Sequence, residues 1–213
     1  EFDKLNLESV SNVIALELLK QLSVQEVENR YKVEFFEDLV SLDAYRRSTA
    51  IERAGNHRFT AEGAYAIYNL RLSKDPVAQD AMGKVGYLLE LILKDKGRPY
   101  LIAVKESEAN VLIQFRSEED FEKIAGRMGT LFYEVLSKKI YDEGLLVGIG
   151  RIYKRLDDVH RSLKDALKAV KAAGLMVPSD PVIRFDSLGI YKILTNEAIR
   201  DELEIFYRRT LKD

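Results

Sequence analysis

The sequence predicts an α/β (α+β) domain: a mixed sheet with helices on its faces, preceded by a long linker helix and followed by C-terminal helices. Three observations carry this. Apolar runs of strand length recur between stretches of helical periodicity. Two of these runs, residues 99–104 and 110–115, are joined by a short polar link and so read as an antiparallel hairpin. The remaining strands are separated by helices, which implies crossovers that stack those helices on the sheet.

Residues 9–42 read as helix, with Val10, Val13, Ile14, Leu18 and Leu22 on one stripe and Val24, Val27, Tyr31, Phe35, Leu39 and Leu42 on a second. No glycine or proline interrupts it. Residues 43–58 start helical and stop at Gly55-Asn56. Residues 64–72 alternate as a strand, with Ala64, Ala66, Tyr68, Leu70 and Leu72 on one face. Asp75-Pro76 then opens a helix that turns Val77, Ala81, Val85, Leu88, Leu89 and Ile92 inward and ends at Lys96-Gly97. After the hairpin, Ser117 caps a second helix whose inner face is Phe121, Ile124, Met128, Leu131, Phe132, Val135 and Ile140. Residues 145–150 form a short buried strand, a third helix starts near Leu156, and residues 182–185 form a last strand. Two helical segments, 186–195 and 197–211, close the chain. The layout resembles a ferredoxin-like or nucleotide-cyclase palm with an added helix and edge strand.

Composition narrows the function. The 213 residues suit one mid-sized domain with attached segments, or two small ones, and 46% hydrophobic content supports a real core. A net charge of −2 gives no global attraction to phosphate, which argues against tight nucleic-acid binding by this chain alone. With no cysteine, disulfides, zinc-thiolate sites and thiol catalysis are excluded. No signal peptide and no apolar run of bilayer length is present, so the expected compartment is the cytoplasm and no membrane partner is expected. The chain opens at Glu1 in a helical pattern and stops at Lys212-Asp213, which reads as a piece of a longer protein.

The one stretch that suggests a nucleotide is Gly148-Ile149-Gly150, a strand end leading toward a helix. A dinucleotide fingerprint needs a third glycine where Tyr153 stands, and no G-x-x-x-x-G-K-[ST] loop exists. The glycines therefore read as the means by which a buried strand approaches a helix closely. That helix repeats Leu156, Val159, Leu163, Ala166, Leu167, Val170 and Ala173, with Asp157 and Asp158 in its first turn and lysines later, as the helix dipole favours. His57 and His160, the two histidines, have no metal-ligand spacing and no nucleophile elbow to serve, so both read as surface residues. Arg46-Arg47 and Arg208-Arg209 have acids nearby and read as solvated helix faces. No catalytic residue, metal or cofactor is assigned.

The stretch "VGIGRIYKRLDDVHRSLKDALKAVKAAG", followed by "IRFDSLGIYKIL" and "ELEIFYRRTL", resembles the central domain of PucR/CdaR-type bacterial transcription regulators. The family's G-I-G strand end is matched by Gly148 and Gly150, its Ser-x-x-x-Ala-x-x-Ala helix by Ser162, Ala166 and Ala169, and its turn by Phe185, Asp186, Leu188 and Gly189. Residues 16–42 are similar to the family's linker helix. The likeness spans about 16–211 and is most specific over 147–210. It implies a degenerate diguanylate-cyclase (GGDEF) fold. Cyclases carry a pair of glycines and metal-holding carboxylates at the hairpin, where this chain has Lys105-Glu106-Ser107-Glu108-Ala109, and an aspartate near the end of the first strand, where it has Leu70-Arg71-Leu72-Ser73.

The expectation is a non-catalytic regulatory and dimerisation core that relays an effector signal. Residues 1–22 end an upstream sensor, 23–58 form the linker helix, 59–186 the GGDEF-like domain and 187–213 a connector. DNA would be bound only through a C-terminal helix-turn-helix outside these residues, and the small-molecule effector is unknown. Val24, Val27, Tyr31, Phe35 and Leu39 are the candidate self-association residues of a homodimer, with packing inside the chain as the other reading of that stripe. The alternative from the enzyme class is a divergent nucleotide-binding or cyclase-like domain. A third reading is a cleft that keeps a ligand without chemistry.

Overall fold

The computed structural model describes residues 2–72, 81–140, 144–173, 180–189 and 191, with the side chains of the first helix described from Val13 onward apart from residues 18, 22 and 25. Helix α1 (Phe2–Leu39) is continuous, and α2 (Ala44–Arg53) follows a short break. Strand β1 (Glu62–Arg71), helix α3 (Met82–Leu93), the hairpin β2 (Tyr100–Val104) and β3 (Glu108–Phe115), and helix α4 (Glu118–Ile140) come next. Strands β4 (Leu146–Ile149) and β5 (Tyr153–Arg155), helix α5 (Val159–Ala173) and strand β6 (Val182–Arg184) complete the described elements.

The strands form one mixed sheet of order β2-β3-β1-β4-β6, with β5 also on β1. Only β4–β6 is parallel among the described pairs. The long β1 lies at the centre because it is apolar on both faces: Ala64 through Leu70 are all buried. Its Ala66, Tyr68 and Leu70 side faces α3 and α4, in a core with Leu89, Val111, Phe121 and Phe132. Its Tyr65 and Ile67 side faces α1 and the start of α5, in a second core with Phe35, Phe36, Leu39, Leu112 and Val159.

Several elements differ from the sequence expectation. α1 starts earlier and stops at Leu39, and Leu42, expected on its stripe, is 91% exposed, because Asp43 caps the next helix through the Tyr45 amide and reverses the chain. β5 went unseen. Gly150 through Ile152 interrupt the strand, so β4 and β5 pair with the two halves of β1 on the same edge. The Asp75-Pro76 helix start and the segment expected at 197–211 lie outside the described residues, as do 190 and 192–195 of the helical segment expected at 186–195, whose described start is part of a 3-10 turn, Phe185–Leu188, ended by Gly189. Ser117 does cap α4, accepting from the Asp120 amide at 3.2 Å.

Candidate functional site

The hairpin turn is the place where the palm layout would put phosphate chemistry. Lys105 there is ion-paired to Glu37 of α1 at 2.9 Å, and its amide donates to the Glu108 carbonyl. Behind the turn, the buried Asn69 donates to Asn110 at 2.8 Å and to Glu108 at 3.2 Å. Two neutral amides thus lie on the strands beside the Glu108 carboxylate, and Glu106 is the other acid of the turn. Among the described residues no group of three or more histidines and carboxylates is placed to hold a metal.

The glycine turn is built differently. A Cβ at Gly148 would lie 2.3 Å from the Ala166 carbonyl oxygen, and one at Gly150 would lie 2.1 Å from the Ser162 carbonyl oxygen. Backbone of strand and helix are therefore in direct contact, and the glycines are what lets them touch. Ser162, fully buried, seals this contact. Its hydroxyl accepts from the Ile67 amide at 2.9 Å and donates to the Arg151 carbonyl at 2.7 Å. Ala166 and Ala169 are fully buried, small enough for α5 to sit on the sheet.

One charged group sits on this same helix face. Asp165, 5% exposed, accepts from the Arg151 guanidinium at 2.8 Å and from the Tyr153 hydroxyl at 3.0 Å. Burial and then the Asp165 charge push the Tyr153 hydroxyl up to about 12, and the hydrogen bond to Asp165 holds Arg151 above its ordinary value. Arg151 also stands over the Phe185 ring at 4.9 Å. Phe185 and Leu188 are buried against Ala169 and Ala172 in a 3-10 turn, and Gly189 leaves it at φ 52°, the left-handed side that favours glycine. Asp186 is exposed on that turn. Sequence reading missed this cluster. Its signal was Asp165, a charge three residues after Ser162 inside the apolar stripe of α5.

The expected self-association stripe divides. Val24 (51% exposed), Val27 and Tyr31 (66%) are uncovered, as are Val13, Ile14, Leu16 and Leu19 before them. Phe35 and Leu39 are buried against the sheet, so the covering surface for these two is the chain's own core. α1 is further tied down by Lys32 to Glu90 of α3 at 2.7 Å, and the other Glu90 oxygen accepts from the Tyr100 hydroxyl. Burial, then Glu90, raises that hydroxyl to about 12. The expected solvated Arg47 instead pairs with Asp157 at 2.7 Å and joins α2 to the start of α5, while Arg46 pairs with Asp38. His57, expected at the surface, is half-buried and stacks on Phe35 at 4.2 Å, and burial lowers its pKa. The ring of His160 bonds the Asp157 carbonyl. Arg208-Arg209 lie outside the described residues.

The profile of the GGDEF-like domain family matches residues 43–172, and the chain belongs to that family. No curated protein matches it. A solved structure, the regulator of polyketide synthase expression from Bifidobacterium adolescentis, is similar over 81% of this chain with a TM-score of 0.51 and 14% identity. The chain covers 62% of that structure's length. No helix among the described residues is long and apolar enough to cross a membrane.

Proposed function

We propose that this chain is the non-catalytic relay core of a PucR/CdaR-type transcription regulator. Its residues 1–22 would end an upstream sensor, 23–58 would link it to the palm domain, and 187–213 would lead to a DNA-binding module. The chain would work in the cytoplasm as a homodimer, its helix pairs shifting between two arrangements biased by an effector. The observation that carries the reading is the hairpin, which has no glycine pair: Lys105 is ion-paired to Glu37, and Glu108 is hydrogen-bonded by the neutral amide of Asn69, which also bonds Asn110. The regulator named among similar structures agrees with it. Further support comes from α1, which leaves the sheet with Val13, Val24, Val27 and Tyr31 uncovered, an apolar stripe suited to a second copy.

The test has two arms. Light scattering on the purified chain is expected to report a dimer, and the Val24→Glu/Val27→Glu double variant a folded monomer. Incubation with magnesium and GTP is expected to give no cyclic dinucleotide or pyrophosphate. A monomeric parent chain overturns the dimer, and turnover overturns the non-catalytic assignment in favour of a divergent cyclase.

A further inference from the structure

Strand β2 is an edge strand, and its free side faces a cavity of about 590 Å³. The pairing pattern fixes which backbone groups point there. Lys105 donates to Glu108 and Gln114 donates to Pro99, so residues 99, 101, 103 and 105 bond β3. In an antiparallel ladder the alternate residues, Tyr100, Ile102 and Val104, turn their N–H and C=O groups outward. The Val104 carbonyl is met by the Asn29 side-chain amide of α1 at 3.4 Å. That amide takes the position a peptide N–H would take if another strand lay there. The Ile102 N–H and C=O have no partner among the described residues, although Ile102 is 3% exposed. Buried backbone groups are normally paired.

The cavity lies between α1 and α3. Met82, Ile102 and Val104 give it an apolar floor, and Gly83 and Gly86 keep the α3 wall low. A Cβ at Gly83 would meet nothing within 4 Å. The charges on the lining are unbalanced in one direction. Lys32 is neutralised by Glu90 and Lys105 by Glu37, while Glu26 and Glu28 have no ion pair among the described residues. The site therefore combines a volume in the range of ligand pockets, a strand edge whose covered Ile102 donor and acceptor have no partner among the described residues, and uncompensated negative charge.

We propose that this cavity binds an extended basic peptide segment, which adds as a strand to the free edge of β2. The Ile102 N–H and C=O pair with the peptide backbone, and Glu26 and Glu28 select its lysine or arginine side chains. Such a segment would wedge between α1 and α3, at the place where the linker helix leaves the domain. The site adjoins the hairpin turn through Val104 and Lys105, and its occupancy can be measured whether or not the relay reading holds.

The experiment uses the whole chain, isotopically labelled, and an N-acetylated, C-amidated tetrapeptide of alternating lysine and valine. The Ile102 amide proton is expected to move downfield on titration, as a new hydrogen bond requires. The same peptide with glutamate in place of lysine is expected not to bind. Gly83→Leu, which adds a side chain at the cavity wall where a Cβ meets nothing within 4 Å, is expected to abolish binding and leave the melting temperature unchanged or higher. Glu28→Gln is expected to weaken binding about two- to fivefold, the size of an exposed ion pair. No shift at Ile102, equal binding of the acidic peptide, or full binding by the Gly83→Leu variant would each overturn the proposal.

Discussion

The two junctions of the palm domain are built on opposite principles. Where α1 joins the sheet, the chain relies on long polar side chains at partly exposed positions: Lys32 to Glu90, Lys105 to Glu37, Asn29 to the Val104 carbonyl. Among its described residues, Phe35, Phe36 and Leu39 near its end are buried in the core, with Val33 packed against it. Where β4, α5 and the Phe185–Leu188 turn meet, backbone touches backbone through Gly148 and Gly150, and Ser162 and Asp165 are buried and paired, Asp165 with an Arg151 side chain that is itself half exposed. Exposed ion pairs are weak and exchange easily, whereas a close-packed contact has no nearby alternative. The upstream junction is thus suited to shift and the downstream one to hold its geometry.

The sharpest way to break this contrast is at Gly150. Gly150→Ala places a methyl 2.1 Å from the Ser162 carbonyl, so strand or helix must move. The expected loss is about 3 kcal/mol or more, at the upper end of overpacking. For a chain of this size that lowers the melting temperature by about 6–12 °C in a thermal scan. Ser162→Ala comes next. It leaves the buried Ile67 amide without its acceptor, and denaturant unfolding is expected to show a loss of about 1–3 kcal/mol.

Lys32→Ala at the upstream junction is expected to cost less than about 1 kcal/mol by the same denaturant assay, since Lys32 and Glu90 are both partly exposed. A loss as large as that of Ser162→Ala would erase the contrast. The smallest effect is a pH dependence at His57. Burial holds its pKa below 6.5 in the fold, so the unfolded chain takes up a proton first as pH falls through 6.5. Stability is therefore expected to decline between about pH 6.5 and the lowered folded value, and the His57→Gln variant to lose that part of the slope in unfolding curves taken across this range.

Much of the downstream junction was legible in the chain itself. Two glycines at the end of an apolar strand, followed by small residues at helical spacing, say that a strand and a helix come close, because only small groups permit it. The stripe on α1 was legible only as a stripe. Val24, Val27, Tyr31, Phe35 and Leu39 have the same spacing, yet the first three are uncovered and the last two are core, since periodicity records a face and not what lies against it. β5 was hidden for a related reason: three residues with two exposed charges carry no apolar alternation, and their strand pairing comes from the edge of β1.

By itself the sequence determined the order of the strands and helices other than β5, the strand at 64–72, the small-residue contact between strand and helix, and the missing glycines of the hairpin. Those follow from local pattern and from the steric limits of single residues. The tertiary structure alone decided that Asp165 is clasped by Arg151 and Tyr153, that Lys32 and Tyr100 share Glu90, and that the edge of β2 opens on a cavity. These partners lie far apart in the chain or on different elements, and only the packing of the sheet against its helices brings them within bonding distance.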